Sequence, residues 1–160
     1  GKMKTLIVFY SLSGGTEYIS NVLKKELEAD IITLQPKFKL KNKGFLKYVI
    51  GGFQTISKAK PRLENYNFNV KDYDTIIIGS PVWAGNFVPA IRSFIAKEDL
   101  TAKKVAVFVC CHDRNSGKDA LSKLKNKINC NNFIGDKVFT EPIKTEENAE
   151  NAKKWTNKIG

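Results

Sequence analysis

Residues 5–18 read TLIVFYSLSGGTEY. The first six form an unbroken apolar run, as in a strand buried on both faces. The polarity then inverts, and Ser11, Ser13, Gly14, Gly15 and Thr16 crowd the connection that follows. Within residues 14–28, Tyr18, Ile19, Val22, Leu23 and Leu27 recur at helical spacing. The stretch therefore reads as a strand, a loop of glycines and hydroxyls, and a helix. A turn needs glycine, but it has no need of three hydroxyls. The start of a helix offers unpaired N–H groups and a partial positive charge, and glycines let the backbone curl round an anion. Hydroxyls add donors. The pattern suits a phosphate, although a serine cap on a glycine turn uses the same residues without a ligand. No Lys follows the glycines, so the triphosphatase loop GxxxxGK[ST] is absent, as is the dinucleotide pattern GxGxxG.

The same alternation continues along the chain. Strands are expected at 30–36, 74–80, 103–111 and 132–140, the last interrupted at Gly135-Asp136. Helices are expected at 88–96, 117–128 and 145–159, each with an apolar stripe. Apolar strands alternating with helices imply a three-layer α/β sandwich, doubly wound on a five-stranded parallel sheet. Ligands of such sheets bind beyond the carboxyl ends of the strands. The exception to the alternation is about 37–62. There Leu46, Val49, Ile50, Phe53 and Ile56 fit one helical face between lysine-rich ends, a basic amphipathic insert in an otherwise single domain spanning 1–160.

Two more loops belong at the carboxyl edge. GSPVWAGNF (79–87) closes an isoleucine-rich strand and carries Trp83, either a lid over a flat ring or a side chain folded back on the core. CCHDRNSGK (110–118) holds the adjacent Cys110 and Cys111 and the single histidine, His112. Asn115 and Ser116 are candidate caps for the next helix, and Gly117 gives the loop freedom. With no second catalytic group beside it, His112 reads as a solvated loop residue. The cysteine pair reads as a strand end, with a reactive thiol or vicinal disulfide as the alternative.

The charge is +11, from 27 basic and 16 acidic side chains. Eight of the basic residues lie between Lys37 and Arg62, where there is no acidic one. Three cysteines without CxxC spacing exclude a disulfide framework and a zinc pattern, and they suit a reducing compartment. No metal site is expected. No run approaches the ~20 apolar residues of a membrane span, and a long apolar signal core is missing, so a cytoplasmic location is expected.

At this point the chain resembles the flavodoxins, and the resemblance spans nearly its whole length. SLSGGT matches their phosphate loop [ST]-x-[ST]-G-x-T at each defined position. GSPVWAGNFVPAIRSFI resembles their second flavin loop and its helix, and CCHDRNSGKDALSKL sits where the third belongs. The resemblance implies strand order 2-1-3-4-5 and a non-covalent FMN. Ser11, Ser13, Gly14, Gly15 and Thr16 would cradle its phosphate without a counter-cation. Trp83 would stack on the ring. Backbone groups of Pro81, Val82, Trp83, Ala84, Gly85 and Asn86, and of Cys110, Cys111 and His112, would meet the ring's polar edge, with Gly117 nearby. Ala84-Gly85-Asn86 would host the peptide flip by which the family stabilises one-electron-reduced flavin.

Three departures accompany this. The sign of the charge is opposite to the family's usual acidity, which implies that reduced flavin is less disfavoured unless Asp113 and Asp119 compensate. The basic insert replaces a conventional second helix. The third loop lacks a bulky stacking aromatic, so His112 stands in or that face stays open. The first functional expectation is an electron carrier with a redox partner protein, acidic by charge complementarity. The alternative is an FMN-dependent NAD(P)H:quinone or nitro-compound reductase. A third reading uses the basic segment to bind membrane or nucleic acid. It is set aside because charge runs are usually solvated faces, and no specific partner of either kind is expected.

Overall fold

A computed structural model describes residues 4–37 and 60–160. In chain order the elements are β1 (Thr5–Phe9), α1 (Gly15–Leu27), β2 (Asp30–Thr33), β3 (Thr75–Trp83), β4 (Asn86–Phe87), α2 (Pro89–Lys97), β5 (Lys104–Cys111), α3 (Arg114–Lys127), β6 (Asn132–Thr140) and α4 (Glu146–Ile159). Five strands run parallel in the order β2-β1-β3-β5-β6. This is the expected 2-1-3-4-5 order, with β5 and β6 as the fourth and fifth long strands. The basic amphipathic helix expected at about 37–62 lies, apart from its ends, outside the described residues.

The sheet sorts its side chains by alternation. Leu6, Val8, Ile76, Ile78, Val105, Val107 and Val109 join one core, roofed by Ile91 and Phe94 of α2 and Leu121 and Leu124 of α3. Ile7, Ile77, Ala106 and Phe108 point the other way, against Ile19 and Leu23 of α1 and Ala152, Trp155 and Ile159 of α4. The central strands are buried on both faces, as their continuous apolar runs foretold. Gly79 sits where β3 passes Phe108 of β5; a Cβ there would lie 2.2 Å from the Phe108 ring.

Four local differences from the sequence reading have physical causes. β2 stops at Thr33, and Pro36 instead bridges Leu63 in antiparallel sense, with Lys37 N–H donating to Arg62 O at 2.8 Å. β3 runs on to Trp83 because Val82 and Trp83 pair with Phe87 and Asn86 in a short hairpin, which adds a sixth strand. α3 starts three residues early because Asp113 is the cap, its Oδ2 accepting the Ser116 N–H at 3.0 Å. β6 is unbroken: Gly135 and Asp136 pair with Ala106 and Val107, and a register shift between Val105 and Ala106 leaves Ile134 as the extra residue. Among the described residues no helix is long and apolar enough to cross a membrane.

Candidate functional site

The carboxyl ends of β1, β3, β5 and β6 open on one groove of about 510 Å³. It is lined by Ser13, by Pro81, Val82 and Trp83, by Cys110, Cys111 and His112, and by Glu141 and Pro142. Its size falls within the ~300–1,000 Å³ of small-molecule sites. All three loops singled out in the sequence contribute to it, because parallel strands bring their carboxyl-end loops to one edge.

The first loop wraps the start of α1. Gly14 occupies the N-cap with φ +93°, a conformation that suits glycine. The Ser11 hydroxyl accepts the N–H of Gly14 at 3.1 Å and of Glu17 at 3.3 Å. Ser11 therefore braces the loop from inside, although the N-cap itself is Gly14 and not a serine. Gly15 and Thr16 hold the first two helical positions, where N–H groups lack intrahelical acceptors. Thr16 is buried in this first turn.

The second loop is a two-residue hairpin. Trp83 pairs with Asn86, and the turn residues Ala84 and Gly85 both have positive φ, +48° and +75°. A tight hairpin turn of this hand needs both centres left-handed. Asn86 was expected to share that freedom but lies in β4, its Oδ1 accepting the Phe87 N–H at 2.8 Å. Lys123 Nζ donates to Gly85 O at 3.1 Å. The Trp83 ring meets Tyr10 edge-on, with centroids 5.7 Å apart at 89°. It is neither swallowed by the core nor free of it.

In the third loop Cys110 and Cys111 are free and buried. Burial pushes the Cys110 thiol up to about 12, and burial also raises that of Cys111. Burial thus disfavours the thiolate at both positions, and the two cysteines are not joined to each other. His112 is exposed at the groove. Gly117 is not at the groove. It packs on the buried face of α3, where a Cβ would lie 2.5 Å from Cys111 Sγ and 2.9 Å from Val138 Cγ1.

Sequence reasoning missed a fourth loop, residues 141–145. Glu141 brings a carboxylate to the groove, and its Oε2 accepts the Ile143 N–H at 3.2 Å. Beyond it, Lys144 reaches the first loop: a Cβ on Gly14 would lie 2.8 Å from Lys144 Nζ. The signal was the polar run TEPIKT ending the fifth long strand, beside the third loop in a 2-1-3-4-5 sheet.

The chain matches the flavodoxin family over residues 4–159. No curated protein matches it. Among solved structures it is similar to a flavoprotein from Bacteroides uniformis, with TM-score 0.79 and 22% identity over 98% of this chain and 99% of that one. It is similar to a flavoprotein from Lactobacillus acidophilus solved in complex with FMN, with TM-score 0.68 and 21% identity over 97% and 99%. It is also similar to oxidised flavodoxin 2 from Bacillus cereus, with TM-score 0.60 and 20% identity over 98% and 97%. These likenesses agree with the sheet order, and the match over residues 4–159 carries the assignment: the chain belongs to the flavodoxin family of FMN-binding proteins.

Proposed function

We propose that the chain holds FMN non-covalently in this groove and shuttles electrons to and from a partner protein. The observation that carries the reading is the convergence of an anion-suited helix start, an aromatic wall and a small-molecule-sized groove at one sheet edge. The residues present fit the cofactor. The left-handed Gly14 and the helix start at Gly15 and Thr16 suit its phosphate, with Ser11 shaping the loop and Ser13 at the groove. Trp83, steadied by Tyr10, supplies a flat wall for the ring. Backbone groups of Pro81 to Asn86 and of Cys110 to His112 are the candidates for its polar edge. Bound FMN supplies the redox chemistry.

The protein's own part is binding and electrostatics. Burial disfavours a charge on the two thiols beside the groove, and Glu141 brings a carboxylate to it. An acidic partner is supported by the +11 charge and by a second groove, about 390 Å³, lined by Lys37, Lys60, Arg62 and Lys97.

A reductase acting on NAD(P)H is the second reading. It is favoured by the groove's lining, in which Trp83 is the one large aromatic side chain and the third loop presents the exposed His112. Anaerobic absorbance titration with NADPH separates the two. A carrier leaves the oxidised flavin band intact with NADPH and is reduced by a chemical donor in two resolved one-electron steps. A direct bleach within seconds establishes the reductase. Failure to load with FMN refutes both.

A further inference from the structure

Lys144 stands out because it brings a positive charge to the positive end of a helix. Its Nζ and Cε would lie 2.8 and 3.2 Å from a Cβ on Gly14, the N-cap of α1. That end of a helix is positive and repels a cation. No acidic side chain compensates: the two ion pairs among the described residues are Lys125–Asp136 and Lys153–Glu150. Glu17, the acidic residue of the first turn, is not paired with it.

The backbone that presents Lys144 is held from several sides. Glu141 N–H donates to Cys111 O at 2.9 Å, and Thr145 N–H to Ile143 O at 2.8 Å. Asn148 Nδ2 reaches the carbonyls of Thr140, Pro142 and Ile143 at 3.2, 3.1 and 3.1 Å. Tyr18 OH donates to Thr145 O at 3.1 Å and ties this loop to α1. Ile143 lies against Gly15, where a Cβ would be 3.2 Å from its Cγ1. A fixed loop thus delivers an ammonium to the phosphate-loop backbone.

We propose that Lys144 is the counter-cation for the phosphate of the bound flavin, so that helix start and ammonium share one anion. This rests on the FMN reading above and departs from the expectation of a cradle without a cation. A charged donor so placed strengthens the hold on FMN and does nothing for riboflavin, which lacks the phosphate.

The test is fluorescence titration of wild type, Lys144→Met and Lys144→Arg with FMN and with riboflavin at low and high salt. Lys144→Met is expected to weaken FMN about ten-fold, to leave riboflavin unchanged and to flatten the salt dependence of FMN binding; Lys144→Arg recovers most of the loss. A Met variant that binds FMN as tightly as wild type, or that loses both flavins alike, overturns the proposal. Wild type that binds the two flavins equally overturns it while leaving the flavin reading intact. Wild type that takes neither flavin overturns both.

Discussion

Replacing Gly79 by Ala adds one methyl group at the centre of the sheet. The new Cβ would lie 2.2, 2.6 and 2.8 Å from Cζ, Cε1 and Cε2 of Phe108, well inside contact distance. The ring has little room to retreat. Phe108 is fully buried, edge-on to Phe139 at 6.0 Å and to Trp155 at 6.1 Å. Gly79 is pinned as well, in register with Phe9 on one side and Phe108 on the other. Overpacking of this kind costs ~1–3 kcal/mol, and the rigid surroundings place Gly79→Ala at the upper end. For a domain of this size ~3 kcal/mol lowers Tm by about 6–12 °C. Phe108→Leu alone leaves a void and costs about 1–2 kcal/mol. In the double variant the Cβ occupies part of that void, so the double loses less than the sum of the singles. Urea unfolding of all four proteins measures the cycle. A Gly79→Ala protein within about 0.5 kcal/mol of wild type, or strictly additive losses, refutes the reasoning.

Other consequences concern the hairpin, the fourth loop and the buried thiol. Ala84 holds φ +48°, so Ala84→Gly is expected to stabilise the fold by ~0.5–1 kcal/mol; a lower urea midpoint contradicts it. Tyr18→Phe removes the bond to Thr145 O and is expected to cost about 1 kcal/mol and to raise hydrogen exchange in residues 141–145; unchanged exchange argues that the loop is held without it. Burial raises Cys110 from 9.0 to about 12 and Tyr10 from 10.0 to about 12. The unfolded chain releases these protons first, so their contribution is intact below about 9 and is lost as pH climbs toward 12. Urea midpoints should fall across that window, less steeply in Cys110→Ala; identical slopes refute the assignment to Cys110.

Several features were legible in the sequence because they rest on local rules. Apolar runs at 5–10 and 74–80 can only be strands covered on both sides. The helical stripes of 14–28 and 145–159 fall within a residue of α1 and α4. The hydroxyls and glycines at 11–16 announced a turn before a helix, and Gly14 makes it with left-handed backbone. The hairpin of β3 and β4 was hidden because Pro81 and Gly85 read as a loop, whereas pairing of Val82 with Phe87 and of Trp83 with Asn86 decided it. Gly117 carried a loop-like signal, yet the space between Cys111 and Val138 explains it.

By itself, then, the chain determined the strand–helix alternation, the parallel sheet and the three loops at its carboxyl edge, because hydrophobic period and turn chemistry act between near neighbours. Tertiary structure alone decided what meets what at that edge. It set Trp83 against Tyr10, and brought Glu141 and Lys144 to loops more than a hundred residues earlier or on another strand. Such meetings depend on strand order and on helices packing across it, and residues so far apart leave no periodic trace of their contact.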